Sequence, residues 1–379
     1  MYNETRRAAW TEINLSAIKQ NYRRLRSLSE GSEVIASVKG DAYGHGAVKV
    51  SWELVKAGVE FLGVATLSEA AELRAAGIQT PVVLFGATPR GNVKDVLDLR
   101  IIPLITTFED ARLLSETAAQ FTPDRTAYVF IGVETGMGRL GFLGDAESHR
   151  QVAAIHALPH IHIKGLFSHF AAADSADLGY SFSQVEKLLE FERKIGELGV
   201  TPGYRTIANS AAVASIPEAR FEAVRPGISL YGLYPSAHID RARLPLTPAM
   251  SVKANIVYLK TVPPGSYISY GRRFVTERES LIATLPLGYA DGLPRVLTGK
   301  GRVLVGGTYA PIVGTICMDQ CMADVTDIAG VKEYDEVVLM GTQGDKTITA
   351  DEIAEQVGTI NYEVATRFGQ RLPKVYLHG

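Results

Sequence analysis

The chain is poor in cysteine: only Cys317 and Cys321 occur in 379 residues. Two thiols four apart in CMDQC, without histidine partners, make neither a closed zinc site nor a disulfide framework, so both read as reduced and no metal is expected. No apolar stretch reaches the ~18 residues of a membrane span, and the opening MYNETRRAAWTEINL has no apolar core behind its Arg pair. A cytoplasmic protein without membrane partners is the expectation. Charge of one sign is missing as well. The 39 Lys plus Arg nearly balance 41 Asp plus Glu, so no bulk field draws the chain onto nucleic acid. With 46% hydrophobic and 21% charged residues, the composition argues for packed cores and against long disorder.

What is present is a repeat of short strand-like runs. From about residue 34 there follow VIASV, FLGVA, VVLF, IPLIT, AYVFI, IKGLF, YRTIA and EAVR. Stretches such as SWELVKAGV and LSEAAELRAAG lie between them and carry the i, i+3, i+4 apolar pattern of covering helices. Strand alternating with helix means parallel strands, and eight units over about 200 residues predict a (β/α)₈ barrel. After the Pro-rich RLPLTP the texture changes to MSVKANIVYLKTV, SLIATLPLGYADG, GRVLVGG, APIVGTICMD and EVVLMG, a β-rich domain. The expected division is 1–245 for the barrel and 246–379 for the β domain. Residues 1–12 are candidates for packing with the latter, and periodicity does not assign residues 10–30 to either.

Catalytic groups of barrels project from the C-terminal ends of strands. The first run ends in Lys39, followed by Gly40, Asp41, Ala42 and Tyr43. A lysine there, beside apolar strand residues, can have its pKa lowered by desolvation and attack a carbonyl to form a Schiff base, although a surface lysine at a strand end is the commoner case. The last two loops suit an anion. Asn209 and Ser210 open a helix-forming AAVA, and Arg225, Pro226, Gly227 and Ile228 offer a cation and exposed amides. A lysine, a phosphate cup and an arginine in one mouth suggest pyridoxal phosphate. The loop Glu134–Gly141 contains a formal G-x-G-x-x-G. It sits in mid-repeat, opens no helix and is followed by no ribose-binding acid, so it reads as a frame for Arg139 over a small anion and not as a dinucleotide site. His169 is either a satisfied core imidazole or a ring laid against a cofactor.

These residues resemble the alanine racemase family over nearly the full length. VKGDAYGHG is similar to the family's lysine motif, ETGMGRLG to its arginine loop and SHFAAAD to its histidine turn. ANSAA and VRPGISLYG are similar to its phosphate and pyridine segments; ISYGRRF, LPLGYADGLPR, GTICMDQ and GTINYEVATR extend the resemblance into the second domain. The resemblance implies pyridoxal 5'-phosphate on Lys39, with Tyr43, Ser210, Gly227, Ile228 and Tyr362 at its phosphate and His169 against its ring. Arg225 would face the pyridine nitrogen, and an arginine, staying protonated, leaves that nitrogen unprotonated. Arg139 would bond the cofactor's phenolic oxygen and the substrate carboxylate. A two-base inversion of alanine would pair Lys39 with Tyr270 of a partner subunit, completed by Met318 and Asp319, so a homodimer with a composite site is implied. D-alanine for peptidoglycan would be the product. Asp174, Tyr289 and Arg295 would line the access channel.

Two positions depart from the family pattern. Gly132 stands where the family often has a lysine, sometimes carbamylated, so Arg139 must be oriented by something else. Thr315, in GTICMDQ, replaces an arginine common before the CMDQ segment and removes a charge from the channel. The rival readings are a serine or broad-specificity racemase, against which Tyr362 narrows the pocket toward a methyl side chain, and a non-catalytic cofactor carrier, which would lack the β domain.

Overall fold

The structure is a computed structural model and describes residues 7–378. It divides into two compact units. One comprises Ile18–Ala42 and Ala47–Thr247; the other comprises the described residues through Ala17, the short excursion Tyr43–Gly46, and the chain from Pro248 onward.

The first unit is the eight-stranded parallel barrel. Its strands are β1 (Glu33–Ser37), β2 (Phe61–Val64), β3 (Val82–Leu84), β4 (Ile101–Ile102 with Leu104–Ile105), β5 (Ala127–Gly132), β6 (Ile161–Phe167), β7 (Tyr204–Thr206) and β8 (Ala223–Val224). All their pairings are parallel. Pro103 interrupts β4: Ile101–Ile102 pairs with β3 and Leu104–Ile105 with β5, the split expected of a residue that has no N–H to donate. The Arg225 amide donates to the Ala208 carbonyl at 2.8 Å just beyond β7 and β8.

The interior is filled by one side chain from nearly every strand. Ile35, Phe61, Val83, Leu104, Phe130, Phe167 and Ala223 form a buried cluster, against which Tyr204 of β7 packs. Burying each of the larger ones contributes about 1.5–3 kcal/mol. The covering helices start where polar caps sit. Thr66 and Glu69 form a capping box for Leu67–Ala75, and Thr107, Asp145 and Asn209 accept amide hydrogen bonds at the starts of Phe108–Phe121, Ala146–His156 and Ser210–Ser215.

The second unit is built on a mostly antiparallel sheet. Strand Ala9–Asn14 lies between Met250–Asn255, with which it is antiparallel, and Lys374–Leu377, with which it is parallel. Met250–Asn255 alternates buried and half-buried residues, the signature of a strand with one face on a core. Helices Ala350–Val357 and Asn361–Phe368 precede the last strand. No helix among the described residues is long and apolar enough to cross a membrane.

Candidate active site

The chain leaves β1 through a left-handed turn. Lys39 is followed by Gly40 (φ 62°, ψ 43°), Asp41 (φ 53°, ψ 48°), Ala42 (φ 54°, ψ 48°) and Tyr43 (φ 54°). Three of these carry a Cβ, and left-handed helical backbone costs each about 1–2 kcal/mol. Specific bonds offset the strain. The Ala42 amide donates to the Val38 carbonyl at 2.8 Å, the Gly40 amide to Glu69 Oε1 at 2.6 Å, and the Ala47 amide to Asp41 Oδ1 at 2.7 Å. Glu69 is itself fixed, because its other oxygen accepts the Ala65 and Thr66 amides. A strained turn so fully tied down holds Lys39 at the barrel mouth.

The mouth is cationic. Burial, then the charges of Arg139 and Arg225, lower the Lys39 pKa, and Glu69 opposes them. Neutral amine is the nucleophilic form. Arg225 is buried, donating to Thr206 Oγ1 at 2.7 Å, to the Ser168 carbonyl and to His169 Nδ1 at 3.1 Å, with its guanidinium 3.8 Å over the Phe167 ring. Burial, then Arg139, brings its pKa down to about 9, so it stays charged at neutral pH. His169 must accept at Nδ1, because arginine only donates. Burial and the cations Arg225, Arg139 and Lys39 keep its pKa well below the ordinary imidazole value. It is therefore a neutral ring.

The loops after β7 and β8 meet at Ser210, whose Oγ accepts the Gly227 amide at 2.8 Å and the Ser229 amide at 3.3 Å. Ile228 is buried beside them, and the buried Ser229 Oγ has no hydrogen-bond partner among the described residues. An amine with lowered pKa, two guanidinium groups, convergent amides and an unsatisfied hydroxyl form a donor set with one opposing carboxylate. That set fits an anionic ligand bearing a carbonyl, such as a phosphorylated aldehyde.

Arg139 is exposed at the end of its loop. Behind the loop, Ser168 Oγ bonds Thr135 Oγ1 at 2.8 Å and donates to the Val133 carbonyl, while the Gln184 amide donates to Thr135 Oγ1 and to the His169 carbonyl. The arginine loop and the histidine turn are thus one buried polar network. The sequence reading missed Thr135, Ser168 and Gln184; an amide on the buried face of a mostly apolar helix stripe was the available signal. Asp174 is exposed beyond the histidine turn.

In the second unit, the rings of Tyr43 and Tyr362 lie 6.2 Å apart, and both line a cleft of about 570 Å³ with Tyr289, Ile360 and Arg367. Tyr270 is 69% exposed in a tight turn, with φ 65° at Ser269 and 73° at Gly271. Thr315, the residue that departs from the family pattern, braces this turn: its Oγ1 donates to the Tyr270 carbonyl at 2.8 Å, and Ser269 Oγ donates to the Thr315 carbonyl at 2.5 Å. The Tyr289 and Ala290 amides donate to the Cys317 and Met318 carbonyls, both at 3.0 Å. Tyr270, Met318 and Tyr289 therefore stand on one connected scaffold. Arg371 holds Asp319 at 2.5 Å and the fully buried Asp291 at 3.1 Å, another pairing that the sequence reading missed. Arg295 is exposed, and both cysteines are free, Cys321 being buried with its thiol pushed up to about 12 by burial.

A parallel barrel with a cationic mouth around a strand-end lysine, followed by an antiparallel β unit, defines a two-domain barrel protein with a site for an anionic ligand. Residues 13–235 match the family model described as "Alanine racemase, N-terminal domain" and residues 249–376 match "Alanine racemase, C-terminal domain". The "Alanine racemase 1" of Clostridium acetobutylicum is 46% identical, covering 98% of this chain and 96% of that protein. "Alanine racemase 2" of Caldanaerobacter subterraneus is 41% identical, covering 100% and 97%. Among solved structures, alanine racemase of Clostridium difficile 630 superposes with a TM-score of 0.93 at 38% identity over 98% of this chain and 96% of that one. That of Bacillus anthracis with bound L-Ala-P gives 0.91 at 36% over 98% and 95%. The chain belongs to the alanine racemase family. The match to both domain models leaves no room for the single-barrel carrier reading.

Proposed function

We propose that this chain interconverts L- and D-alanine with pyridoxal 5'-phosphate held on Lys39, as a cytoplasmic homodimer whose sites take Tyr270 from the partner subunit, and that its product D-alanine serves peptidoglycan synthesis. The observation that carries the reading is the cluster of Lys39, Arg139, Arg225 and neutral His169 at the barrel mouth. Lys39 would hold the cofactor's carbonyl carbon; Tyr43, Ser210, Gly227, Ile228 and Tyr362 would hold its phosphate. When bound, the cofactor supplies an electron-withdrawing ring that acidifies the α C–H of an amino acid joined to it.

The remaining chemistry belongs to this chain. Arg225, charged and buried, can only donate, so a ring nitrogen held against it would stay unprotonated, and the weaker withdrawal would favour rapid return of the proton over transamination. His169 packs as an uncharged ring, and Arg139 binds the substrate carboxylate. Inversion needs a base and an acid on opposite faces: Tyr270 takes the proton from L-alanine and Lys39 returns one from the other side, with the roles reversed for D-alanine. Met318 and Asp319 border the tyrosine's side, and Asp174, Tyr289 and Arg295 line the access route.

Purified protein assayed with L-alanine, L-serine and L-lysine, with and without added pyridoxal phosphate, tests the proposal. Racemisation should be fastest with alanine and depend on the cofactor. Failure to racemise alanine with cofactor bound, or borohydride labelling of a residue other than Lys39, would overturn it.

A further inference from the structure

We infer that Glu134 is the positioning residue of the arginine loop: its carboxylate sets the pose of Arg139, the task that a side chain at position 132 cannot perform here. The inference rests on the reading that Arg139 binds the substrate carboxylate.

Glu134 Oε1 accepts the Gly136 amide at 2.5 Å and Oε2 accepts the Arg139 amide at 3.0 Å. The Met137 and Gly138 amides lie between these two and also favour the charged carboxylate. The two ends of the segment Gly136–Arg139 are therefore tied by their main-chain N–H groups to one anion, supplied by the loop's own side chain. Burial alone would raise the carboxyl pKa; the Gly138, Gly136, Arg139 and Met137 amides outweigh it and hold the group below its ordinary value.

The carboxylate stands on a closed base. The Glu134 amide donates to the Phe142 carbonyl at 2.9 Å and the Phe142 amide to the Gly132 carbonyl at 2.7 Å, and Val133 bridges Phe142. Gly141 makes this closure possible, since at φ 129° a Cβ would lie 2.7 Å from the Glu134 nitrogen. Position 132 is closely packed. A Cβ on Gly132 would meet Thr106 Cγ2 at 3.2 Å, and Gly141 Cα and Leu104 Cδ1 at 3.4 Å. Gly132 offers no side chain to orient Arg139, whereas the Arg139 main chain is bonded directly to Glu134. Charge-assisted bonds of this kind are the stronger class, and small displacements of a binding group are costly in rate.

A double-mutant cycle separates positioning from mere folding of the loop. Glu134→Gln, Glu134→Asp, Arg139→Lys and the double variant Glu134→Gln/Arg139→Lys are compared with wild type, with cofactor loaded, for the KM and kcat of L-alanine. Melting temperature serves as the fold check. Glu134→Gln should raise KM about tenfold with a smaller change in kcat, and Glu134→Asp, which keeps the charge, should recover most of it. On the Arg139→Lys background the same Glu134→Gln change should cost less than about threefold. Equal losses on both backgrounds, or an unchanged KM in Glu134→Gln, would overturn the inference.

Hydrogen exchange in the ligand-free protein gives a readout that does not depend on activity. Glu134→Gln should speed exchange of the Gly136 to Arg139 amides about tenfold, and unaltered exchange refutes the anchoring. A wild-type protein that does not racemise alanine would sink the functional reading instead, and the exchange result would still decide whether Glu134 holds the loop.

Discussion

Replacing Tyr270 by phenylalanine separates chemistry from folding more cleanly than any other single change in this chain. The ring is 69% exposed, and its turn is held through the main chain, by Thr315 Oγ1 on the Tyr270 carbonyl and Ser269 Oγ on the Thr315 carbonyl. Tyr270→Phe removes one exposed hydroxyl and leaves both bonds, so stability should stay within about 0.5 kcal/mol of wild type. Loss of a positioned acid or base costs roughly 10² to 10⁴ in rate, about 2.7–5.4 kcal/mol of barrier. Racemisation should fall by that factor in both directions, because each direction needs both faces. Exchange of the α-proton in deuterated water should not fall equally: D-alanine keeps Lys39 as its base, whereas L-alanine loses Tyr270. Undiminished exchange from L-alanine would refute the assignment of faces, and a large drop in melting temperature would refute the claim that the hydroxyl has no structural task.

Much of the barrel could be read in advance because parallel strands buried on both faces write themselves as apolar runs: each of the eight runs became a strand, and the interior draws Ile35, Phe61, Val83 and their counterparts from them. Lys39, Arg139, His169 and Arg225 were legible for a related reason, since strand ends of a barrel face a common mouth. What local pattern cannot show is main-chain geometry and polar pairing across long sequence separations. Nothing in KGDAY announces a left-handed turn carrying three residues with a Cβ, because the bonds that offset its strain come from Glu69, 29 residues past Gly40, as well as from Asp41. Glu134 looked like the first letter of a glycine loop. Its role appears only once the Gly136 and Arg139 amides are seen to bond it. The pairing of Ala9–Asn14 with Lys374–Leu377 likewise joins opposite ends of the sequence, where periodicity is silent.

Three further outcomes follow from burial. His169 is held neutral by burial and by Arg225, Arg139 and Lys39; its folded pKa lies below the unfolded value, so its own contribution to ligand-free stability is complete above about pH 6.5 and falls as pH drops through it, by up to about 1.4 kcal/mol per pH unit. Urea unfolding at pH 5 and 7.5 should show that acid limb flattened in His169→Gln, leaving the smaller contribution of His149, also lowered chiefly by burial; an unchanged limb rejects the assignment. Gly288→Ala should destabilise by more than about 3 kcal/mol in thermal melts, since its Cβ would sit 2.2 Å from the Cys317 oxygen and 2.4 Å from that of Met318, both main-chain atoms that cannot step aside cheaply. Two arginines of the second unit give the last contrast. Arg367 pairs with Glu363 at 2.5 Å, and Arg371 pairs with Asp319 at the same distance, but Arg371 also reaches Asp291, whose side chain is fully buried, whereas both members of the Arg367 pair are about half exposed. An exposed i, i+4 pair contributes about 0.3–0.5 kcal/mol, while removing every partner of a buried charge costs about 3–5 kcal/mol. Asp291 keeps Arg7 at 2.5 Å, so Arg371→Met should lower the melting temperature without unfolding the protein, and Arg367→Met should lower it much less. Asp291 also accepts the Gly288 amide, and Tyr289 and Ala290 bond the Cys317–Met318 turn, so Arg371→Met should lower kcat/KM for alanine as well; equal melting temperatures for the two variants would show that contact distance, and not the burial of the partner, decides the outcome.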